Sequence, residues 1–499
     1  MRGDGLAGGE GGADRLGELI PAALRGMAAG IAERGGPVPA GGPAAVAAAL
    51  VAERGELVSE KQGSNPVSHS RPAAAAGNGS LPRRGIGAEA ALEELSRLLA
   101  AGSADPADPA CAAHLHCPPL AVAVAADVVA SALNPSMDSW DQAPVASELE
   151  REFTAGIARL CYPAAETPDA VVTTGGTESN LLGLLLARER DPGVRPVCGA
   201  NAHHSVARAA WLLGLPAPVV VPCEGDRLLP DALAEVVTPR SVVVATAGTT
   251  NTGALDPLPE IAAVCRRAGA RLHVDAAYGG MALCSDALKA KLAGLALADS
   301  VALDLHKFGW QPVAAGLFAA REAADLGALT VRAEYLNAGD DTEAGLPDLL
   351  GRSIRTSRRP DAFRMAVTVH ALGTDGLGAL VERCCATAAE VATLVENHPG
   401  LRLWGAPELS TVVLRPVVAD ETGDDELVAR VRRALLEAGT AVIGRATLPT
   451  GPGGTDQLWL KLTLLHPHTT GDDYGPLLDR IAATAGAELV AGRESPVAS

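Results

Sequence analysis

The stretches Leu272-His-Val-Asp-Ala-Ala-Tyr-Gly-Gly280 and Asp299-Ser-Val-Ala-Leu-Asp-Leu-His-Lys-Phe-Gly-Trp310 decide how this chain folds. Each contains an apolar, strand-like run that ends in polar residues: Asp275 closes the first run, and a His-Lys pair ending at Lys307 closes the second. In α/β domains, ligands bind beyond the carboxyl ends of such strands. The pattern therefore predicts that the Asp275 carboxylate and the Lys307 amine lie at the same edge of one sheet.

A lysine amine opposite a buried carboxylate suits one cofactor in particular. The amine can bond to the aldehyde of pyridoxal 5′-phosphate, and the carboxylate can keep the pyridine nitrogen protonated. The ring then accepts electrons that are released at the α-carbon of a substrate. The residues therefore predict a pyridoxal phosphate enzyme in which Lys307 and Asp275 are catalytic.

The surrounding pattern predicts an α/β protein. Between residues 168 and 320, short Val-rich runs alternate with amphipathic helical segments, which is typical of a mostly parallel sheet. Helices are also predicted at residues 14–32 and 88–99, on either side of a connector at 62–72 that is rich in Ser, Pro and Asn. We expect three parts: a partly flexible N-terminal segment with helices (1–110), a large cofactor-binding domain (111–375) and a small C-terminal domain (376–490).

Composition excludes several classes of protein. Acidic residues outnumber basic residues by 59 to 41, and the formal net charge is −18, so we expect no nucleic-acid partner. The longest apolar run, residues 120–133, is broken by Asp127 and is too short to span a bilayer, so we expect no membrane association. The nine cysteines show no CxxC spacing. We therefore expect reduced thiols, no metal site and a cytoplasmic protein.

Three further polar groups follow predicted strands. Thr173-Thr-Gly-Gly-Thr-Glu-Ser-Asn180 turns through two glycines into a helix and could hold a phosphate, although such a turn is more often only a tight connection. In Asn201-Ala-His-His-Ser-Val206, His203 is preferred to His204 as an imidazole lying on the cofactor ring, and either could instead be structural. Ala245-Thr-Ala-Gly-Thr-Thr-Asn-Thr-Gly253 could supply hydroxyls to the cofactor or simply cap the next helix.

The order of these groups is more specific than any one of them. From about residue 110 to residue 480 the chain resembles the group II pyridoxal-dependent amino acid decarboxylases, most clearly at residues 273–279 and 304–307. Ser139-Trp-Asp-Gln-Ala-Pro144 and Leu460-Lys-Leu-Thr-Leu-Leu465 are most similar to the bacterial branch that acts on L-2,4-diaminobutyrate and related diamino acids. The resemblance implies the type I fold of pyridoxal phosphate enzymes, with a mostly parallel seven-stranded sheet in the large domain and a smaller C-terminal α/β domain.

Roles for individual residues follow from the resemblance by position. It makes Lys307 the lysine that bonds to the cofactor, Asp275 the partner of the pyridine nitrogen and His203 the residue stacked on the ring. The other implied cofactor contacts are Gly176, Thr177, Thr249, Ala277, Ser300 and His306. The implied substrate-side residues are His116, Cys117, Trp140 and Lys461. Alternatively, Lys461 is one lysine on an otherwise apolar strand and could simply be a solvated edge residue.

The chain differs from many family members in the acid that would return a proton to the α-carbon of the substrate. Many relatives use a tyrosine on a mobile loop, yet the loop at residues 337–354 has none here. Tyr335 and His203 are the candidates for this acid. A poorly protonated intermediate could divert toward oxygen-dependent deamination to an aldehyde.

We therefore expect a carboxy-lyase that converts an L-amino acid to a primary amine and carbon dioxide. Aromatic residues make up only 3% of the chain, which favours an aliphatic or diamino acid substrate such as 2,4-diaminobutyrate, lysine or ornithine. Two alternatives stay open: an aldehyde-forming deaminase or aminotransferase on the same scaffold, and a non-catalytic role, against which the presence of Lys307 argues. Because family members place the cofactor between two subunits, the resemblance also implies a homodimer.

Overall fold

The computed structural model describes residues 5–59, 82, 84–331, 333, 336, 338–449 and 454–494. The described residues form two compact units, one within Met1–Cys111 and Ala429–Ile443 and the other within Ala112–Val428 and Gly444–Ser499. The predicted connector at 62–72 lies outside the described residues. Within the described ranges, no helix is both long enough and apolar enough to cross a membrane.

The helices and strands are named in chain order. Helices α1 to α14 span Gly12–Arg34, Gly42–Ser59, Ala88–Ala101, Ala121–Leu133, Pro144–Cys161, Gly176–Arg190, Ser205–Leu212, Pro230–Val236, Leu258–Ala268, Gly339–Glu343, Asp361–Asn397, Val417–Thr422, Asp425–Glu437 and Gly475–Glu494. Strands β1 to β14 span Cys111–Ala112, Asp169–Thr173, Arg195–Gly199, Val219–Val221, Cys223–Glu224, Arg227–Leu228, Ser241–Thr246, Arg271–Ala276, Ser300–Asp304, Gly316–Ala320, Leu401–Leu403, Thr411–Pro416, Val442–Pro449 and Asp456–Thr463.

In the N-terminal unit, α1 and α3 pack against each other. Gly26 and Gly30 allow the close approach, because a Cβ at either position would lie 2.0 to 2.2 Å from a carbonyl oxygen of α3. Both helices confirm the predictions at 14–32 and 88–99. Helix α2 was not predicted, since its run of alanine and valine has no amphipathic period.

A seven-stranded sheet forms the body of the second unit, in the order β2-β10-β9-β8-β7-β3-β4. Strands β9, β8, β7, β3 and β4 pair in parallel, and β10 runs antiparallel between β2 and β9. All six residues of β7 are buried, as the Val-rich run predicts for a strand covered on both faces. The predicted mostly parallel α/β sheet is therefore confirmed.

The parallel strands bring polar residues together where they end. Thr246, at the end of β7, pairs with Asp275 on β8, and Asp304 is the last residue of β9. Gly316 of the antiparallel strand pairs with both Asp304 and Thr173. One edge of the sheet thus collects the carboxylates of Asp275 and Asp304, as the sequence pattern predicts for Asp275.

A smaller sheet follows in the same unit, with β14 between β13 and β12, and β11 on the other side of β12. Side chains fix this sheet against the larger one. The hydroxyl of Tyr278 lies 2.8 Å from that of Ser410 and 3.0 Å from that of Thr411, and the Trp310 indole donates to the Leu465 carbonyl oxygen. These contacts hold β12 and the end of β14 beside the carboxyl edge of the large sheet.

Candidate active site

A cavity of about 280 Å³ opens at this edge of the sheet. Its volume is just below the usual range for small-molecule sites, roughly 300–1,000 Å³. The lining residues come from many segments of the second unit: His114, Leu115, Gly176, Thr177, His203, Thr246, Gly248, Thr250, Asp275, Ala277, Tyr278, Lys307 and Lys461. The structure therefore brings seven of the residues predicted from sequence into one cavity, namely Gly176, Thr177, His203, Asp275, Ala277, Lys307 and Lys461.

Two hydrogen bonds orient the Asp275 carboxylate. Oδ2 accepts from Nδ2 of Asn180 at 2.7 Å, and Oδ1 accepts from the backbone N–H of Ala277 at 3.1 Å. The carboxylate is 6% exposed. Because a carboxylate only accepts hydrogen bonds, this contact also fixes which end of the Asn180 amide faces Asp275. Asp275 is thus a buried, oriented anion on the wall of the cavity.

Behind Asp275, the Asn180 amide is itself fixed by His273. Oδ1 of Asn180 lies 2.9 Å from Nε2 of His273, so Nε2 must carry the proton, and Nδ1 accepts from the Ser300 hydroxyl at 2.9 Å. Burial lowers the pKa of His273 to about 4, against the attraction of Asp275. His273 is therefore a neutral imidazole at physiological pH and holds the amide without adding a charge.

His203 is held in one tautomer by its own helix start. Its Nδ1 lies 2.8 Å from the Ser205 hydroxyl and also accepts the Ser205 backbone N–H at 3.3 Å. Burial lowers the pKa of His203, although Asp275 attracts the charged form. The neutral ring therefore carries its proton on Nε2.

The Lys307 ammonium is paired within the site. Its Nζ lies 2.9 Å from Oδ2 of Asp304, which is 2% exposed, and Nε2 of His306 lies 3.5 Å from the same oxygen. Nδ1 of His306 points away, 3.0 Å from the Ala315 carbonyl oxygen. Lys307 thus faces the cavity while a buried carboxylate holds its charged end.

The glycine turn at the start of α6 is crowded on its inner side. A Cβ on Gly176 would lie 2.8 Å from the Cβ of Ala277, and one on Gly175 would lie 2.9 Å from the His306 ring. Gly175 has φ 151°, which favours glycine. The backbone N–H groups at the first turn of the 15-residue helix α6 form a cradle for an anion. This cradle, with the Lys307 amine and the Asp275 carboxylate, fits the phosphate, aldehyde and pyridine nitrogen of pyridoxal phosphate.

Lys461 enters the cavity from β14. It is 6% exposed, and its Nζ donates to the Thr250 carbonyl oxygen at 2.6 Å. Burial lowers the pKa of Lys461 to about 8, although Asp226 attracts the charged form. The alternative of a solvated surface lysine is therefore wrong.

This pKa predicts how stability depends on pH. Between pH 8 and the ordinary lysine value of 10.5, the unfolded chain binds more protons at this position than the folded chain. The free energy of unfolding should therefore rise with pH across that window, by up to about 1.4 kcal/mol per pH unit. Urea unfolding of Lys461→Met should lack this rise, whereas Lys289→Met, at an exposed lysine, should keep it. Equal slopes in wild type and Lys461→Met would contradict the prediction.

Other residues predicted from sequence lie outside the cavity lining. Thr249 is buried and donates to Asp226, and Ser300 bonds to His273. His306 lies behind Lys307, where its carbonyl oxygen accepts from the Cys117 thiol. His116 is exposed, and Trp140 lines a different cavity of about 340 Å³ together with Asp141, Leu336 and Asp341. Tyr335 lies outside the described residues.

Sequence reasoning missed the residues that support the site. Asn180 is the last residue of the glycine-containing stretch 173–180, and Asp304 lies three positions before Lys307. The sequence analysis predicted a function for neither residue. One signal was available, because His273 and Asp275 are two positions apart on a strand and so share a face. The position of the Asn180 amide between the His273 and Asp275 side chains cannot be predicted from local sequence, because this contact joins α6 to β8.

Comparison with known proteins identifies the family. The model of the pyridoxal-dependent decarboxylase conserved domain matches residues 75–416. The chain is 38% identical over 422 residues to an L-2,4-diaminobutyrate decarboxylase of Rhizobium meliloti, covering 81% of this chain and 83% of the relative. It is 32% identical over 441 residues to the Acinetobacter baumannii enzyme of the same name, covering 81% of this chain and 85% of the relative.

A solved structure agrees with these relatives. The glutamate decarboxylase domain of a diaminobutyrate-pyruvate transaminase and L-2,4-diaminobutyrate decarboxylase from Vibrio parahaemolyticus has a TM-score of 0.78 and 27% identity, and the match covers 97% of this chain and 98% of that one. The predicted type I fold, cofactor and decarboxylase chemistry are thereby confirmed. The chain belongs to the pyridoxal-dependent decarboxylase family and is a pyridoxal phosphate-dependent amino acid carboxy-lyase.

Proposed function

We propose that the enzyme removes the α-carboxylate of L-2,4-diaminobutyrate as carbon dioxide and releases 1,3-diaminopropane. The observation that supports this substrate is the 38% identity, over 81% of the chain, to a relative of that name. The low aromatic content of 3% agrees with an aliphatic substrate. Lysine and ornithine, which are longer diamino acids, are the substrates to compare with it.

We propose cofactor contacts from the positions of the side chains. Lys307 bonds to the aldehyde, Asp275 faces the pyridine nitrogen, and His203 lies against the ring. Bound at these residues, pyridoxal phosphate supplies an electron-accepting ring for the carbon–carbon bond that breaks. The further residues proposed for the cofactor site are Gly176, Thr177, Thr249, Ala277, Ser300 and His306. Because Thr249 and Ser300 bond to other side chains, they act by holding the Thr-rich turn and His273 in place.

We propose Lys461 as the substrate-side cation, since its Nζ is held on the cavity wall by the Thr250 carbonyl oxygen. A cation there attracts the α-carboxylate of an entering amino acid. His116, Cys117 and Trp140 are proposed as more distant substrate-side residues. Cys117 acts by packing, because burial raises the pKa of its thiol to about 12 and keeps it neutral.

The proton that returns to the α-carbon needs a donor at the cavity. We propose His203 or Tyr335 for this role. The hydrogen bonds that His203 Nδ1 accepts from Ser205 support His203, because they leave the proton on Nε2. Tyr335→Phe and His203→Gln, compared for aldehyde formed per amine released, distinguish the two donors.

The proposed substrate is tested with a panel of amino acids. Purified protein loaded with pyridoxal phosphate is offered L-2,4-diaminobutyrate, ornithine, lysine, glutamate and tryptophan, and the amine products are measured. We expect kcat/KM for diaminobutyrate to exceed that for lysine at least about tenfold, because each methylene misfitted to a pocket costs about 1–3 kcal/mol. A preference for glutamate or tryptophan would contradict the substrate, and aldehyde with peroxide as the main product would contradict decarboxylation to amine.

We propose that two copies of the chain form a homodimer. Helix α4 supports this because Val124, Val128, Val129 and Leu133 expose 37 to 69% of their surface along the helix. We also propose a cytoplasmic location, which agrees with all nine cysteines being free.

A further inference from the structure

A second buried carboxylate, Asp304, stands beside the reactive lysine, and the roles proposed above do not use it. Its Oδ2 lies 2.9 Å from Lys307 Nζ, while its Oδ1 is buried without a hydrogen-bond partner among the described residues. Asp304 is 2% exposed, so water does little to stabilise its negative charge. The stability of the charged carboxylate therefore depends strongly on the ion pair with Lys307.

Few other charges can replace Lys307 next to Asp304. In the part of the chain that the structure describes, no other lysine or arginine lies within ion-pair distance of this carboxylate. Nε2 of His306 is farther away, at 3.5 Å. The other titratable groups that line the cavity include the like-charged Asp275, and Nζ of Lys461 donates to the Thr250 carbonyl oxygen instead. The remaining ones are His114, His203 and Tyr278. The charge balance of Asp304 therefore depends on Lys307 being an ammonium ion.

We propose that Asp304 is a positioning residue that holds the Lys307 ammonium whenever Lys307 is not bonded to the cofactor. The inference rests on the proposed covalent role of Lys307. An amino acid enters as an ammonium ion, and its nitrogen replaces the Lys307 nitrogen on the aldehyde carbon. The carbon–nitrogen bond to Lys307 breaks as the bond to the substrate forms, and the substrate's ammonium protons pass to Lys307, so atoms and charge balance.

Asp304 then has opposite effects on two equilibria. It stabilises free Lys307, so it favours displacement of the lysine by an entering amine. For the same reason it opposes the first capture of pyridoxal phosphate, which consumes the Lys307 ammonium. A residue that only supports the fold would not move these two equilibria in opposite directions.

The test uses Asp304→Asn, which keeps the shape of the side chain and removes its charge. Cofactor-free protein is titrated with pyridoxal phosphate, and the loaded protein is then titrated with methylamine, both followed by the absorbance of the cofactor. Methylamine has no carboxylate to lose and needs no side-chain recognition. We expect Asp304→Asn to take up the cofactor about tenfold more tightly and to require about tenfold more methylamine, the size of one charge-assisted hydrogen bond.

Asp226→Asn is the matched control, because it removes another buried carboxylate of the same unit that bonds to Thr249 and Thr252 rather than to Lys307. It should shift both titrations in the same direction or neither. Asp304→Ser provides a second test of the opposite shifts if the amide variant folds poorly. Shifts of Asp304→Asn in the same direction, or no shifts, would overturn the inference, whereas wild-type protein that takes up no cofactor would overturn the proposed role of Lys307 instead.

Discussion

Lys307→Ala is expected to abolish amine production, with a loss of at least about 10³-fold, because the substitution removes both the covalent attachment of the cofactor and a proton-carrying amine. The variant should fold with reduced stability: the Lys307 side chain faces the cavity and is 17% exposed, but its removal leaves the buried Asp304 carboxylate without its ion-pair partner. The loss is measured as carbon dioxide released from L-2,4-diaminobutyrate at saturating cofactor. Borohydride treatment followed by mass spectrometry should attach the cofactor to wild type and not to the variant.

Lys289→Ala is the matched control for this substitution. Lys289 is also a lysine of the second unit, but it is 56% exposed and pairs with Asp286 at the surface. Its variant should be labelled and active like wild type. Activity of Lys307→Ala within tenfold of wild type would refute the covalent role of Lys307.

Asp275→Asn is expected to take up the cofactor and yet lose about 10²–10³-fold in kcat, the size expected for removal of one preorganised charge next to the reacting group. The amide carries no negative charge, so it cannot keep a pyridine nitrogen protonated. Uptake should persist because Lys307 and the glycine turn at Gly176 are unchanged. Cofactor stoichiometry from absorbance, followed by kcat per bound cofactor, separates the two effects.

Asn180→Ala shows whether the charge of Asp275 or only its orientation matters. This variant removes the 2.7 Å hydrogen bond to Asp275 and leaves the carboxylate in place. We expect a loss of about tenfold, which corresponds to one hydrogen bond to a charged group. If Asn180→Ala lost as much kcat as Asp275→Asn, orientation rather than charge would explain the effect of Asp275.

The elements that could be predicted from sequence are those with a strong local pattern. The run of buried valines in β7 predicted the sheet, and the polar residues at the end of β8 and just beyond β9 predicted that Asp275 and Lys307 meet at one cavity. Strand β10 is not one of the predicted Val-rich runs: Gly316–Ala320 is short, contains no valine and takes its place by antiparallel pairing between β2 and β9. Such pairing joins residues far apart in the chain and leaves no local period.

The missed side chains share a physical cause. The roles of Asp304 and Asn180 depend on what their side chains contact after folding. Aspartate and asparagine are mostly solvent-exposed in proteins, so the residue type alone does not indicate a buried contact. The predicted role of Thr249 shows the reverse case: its hydroxyl follows a strand as expected, yet Asp226 accepts its hydrogen bond in the interior. The order of residues along the chain was enough to predict where the site lies. Only the three-dimensional contacts show which side chains line the cavity and which hold those side chains in place.

The hydrogen bond from Lys461 to Thr250 ties the C-terminal sheet to the cavity wall. A fragment that stops before β14 would therefore lose more than one strand of the smaller sheet. It would also lose the hydrogen bond that holds the Thr-rich turn, and Lys461 would no longer line the cavity. Natural variation in the length of the C-terminus should accordingly leave β14 intact. The strand at residues 456–463 is thus part of the catalytic cavity as well as of the smaller sheet.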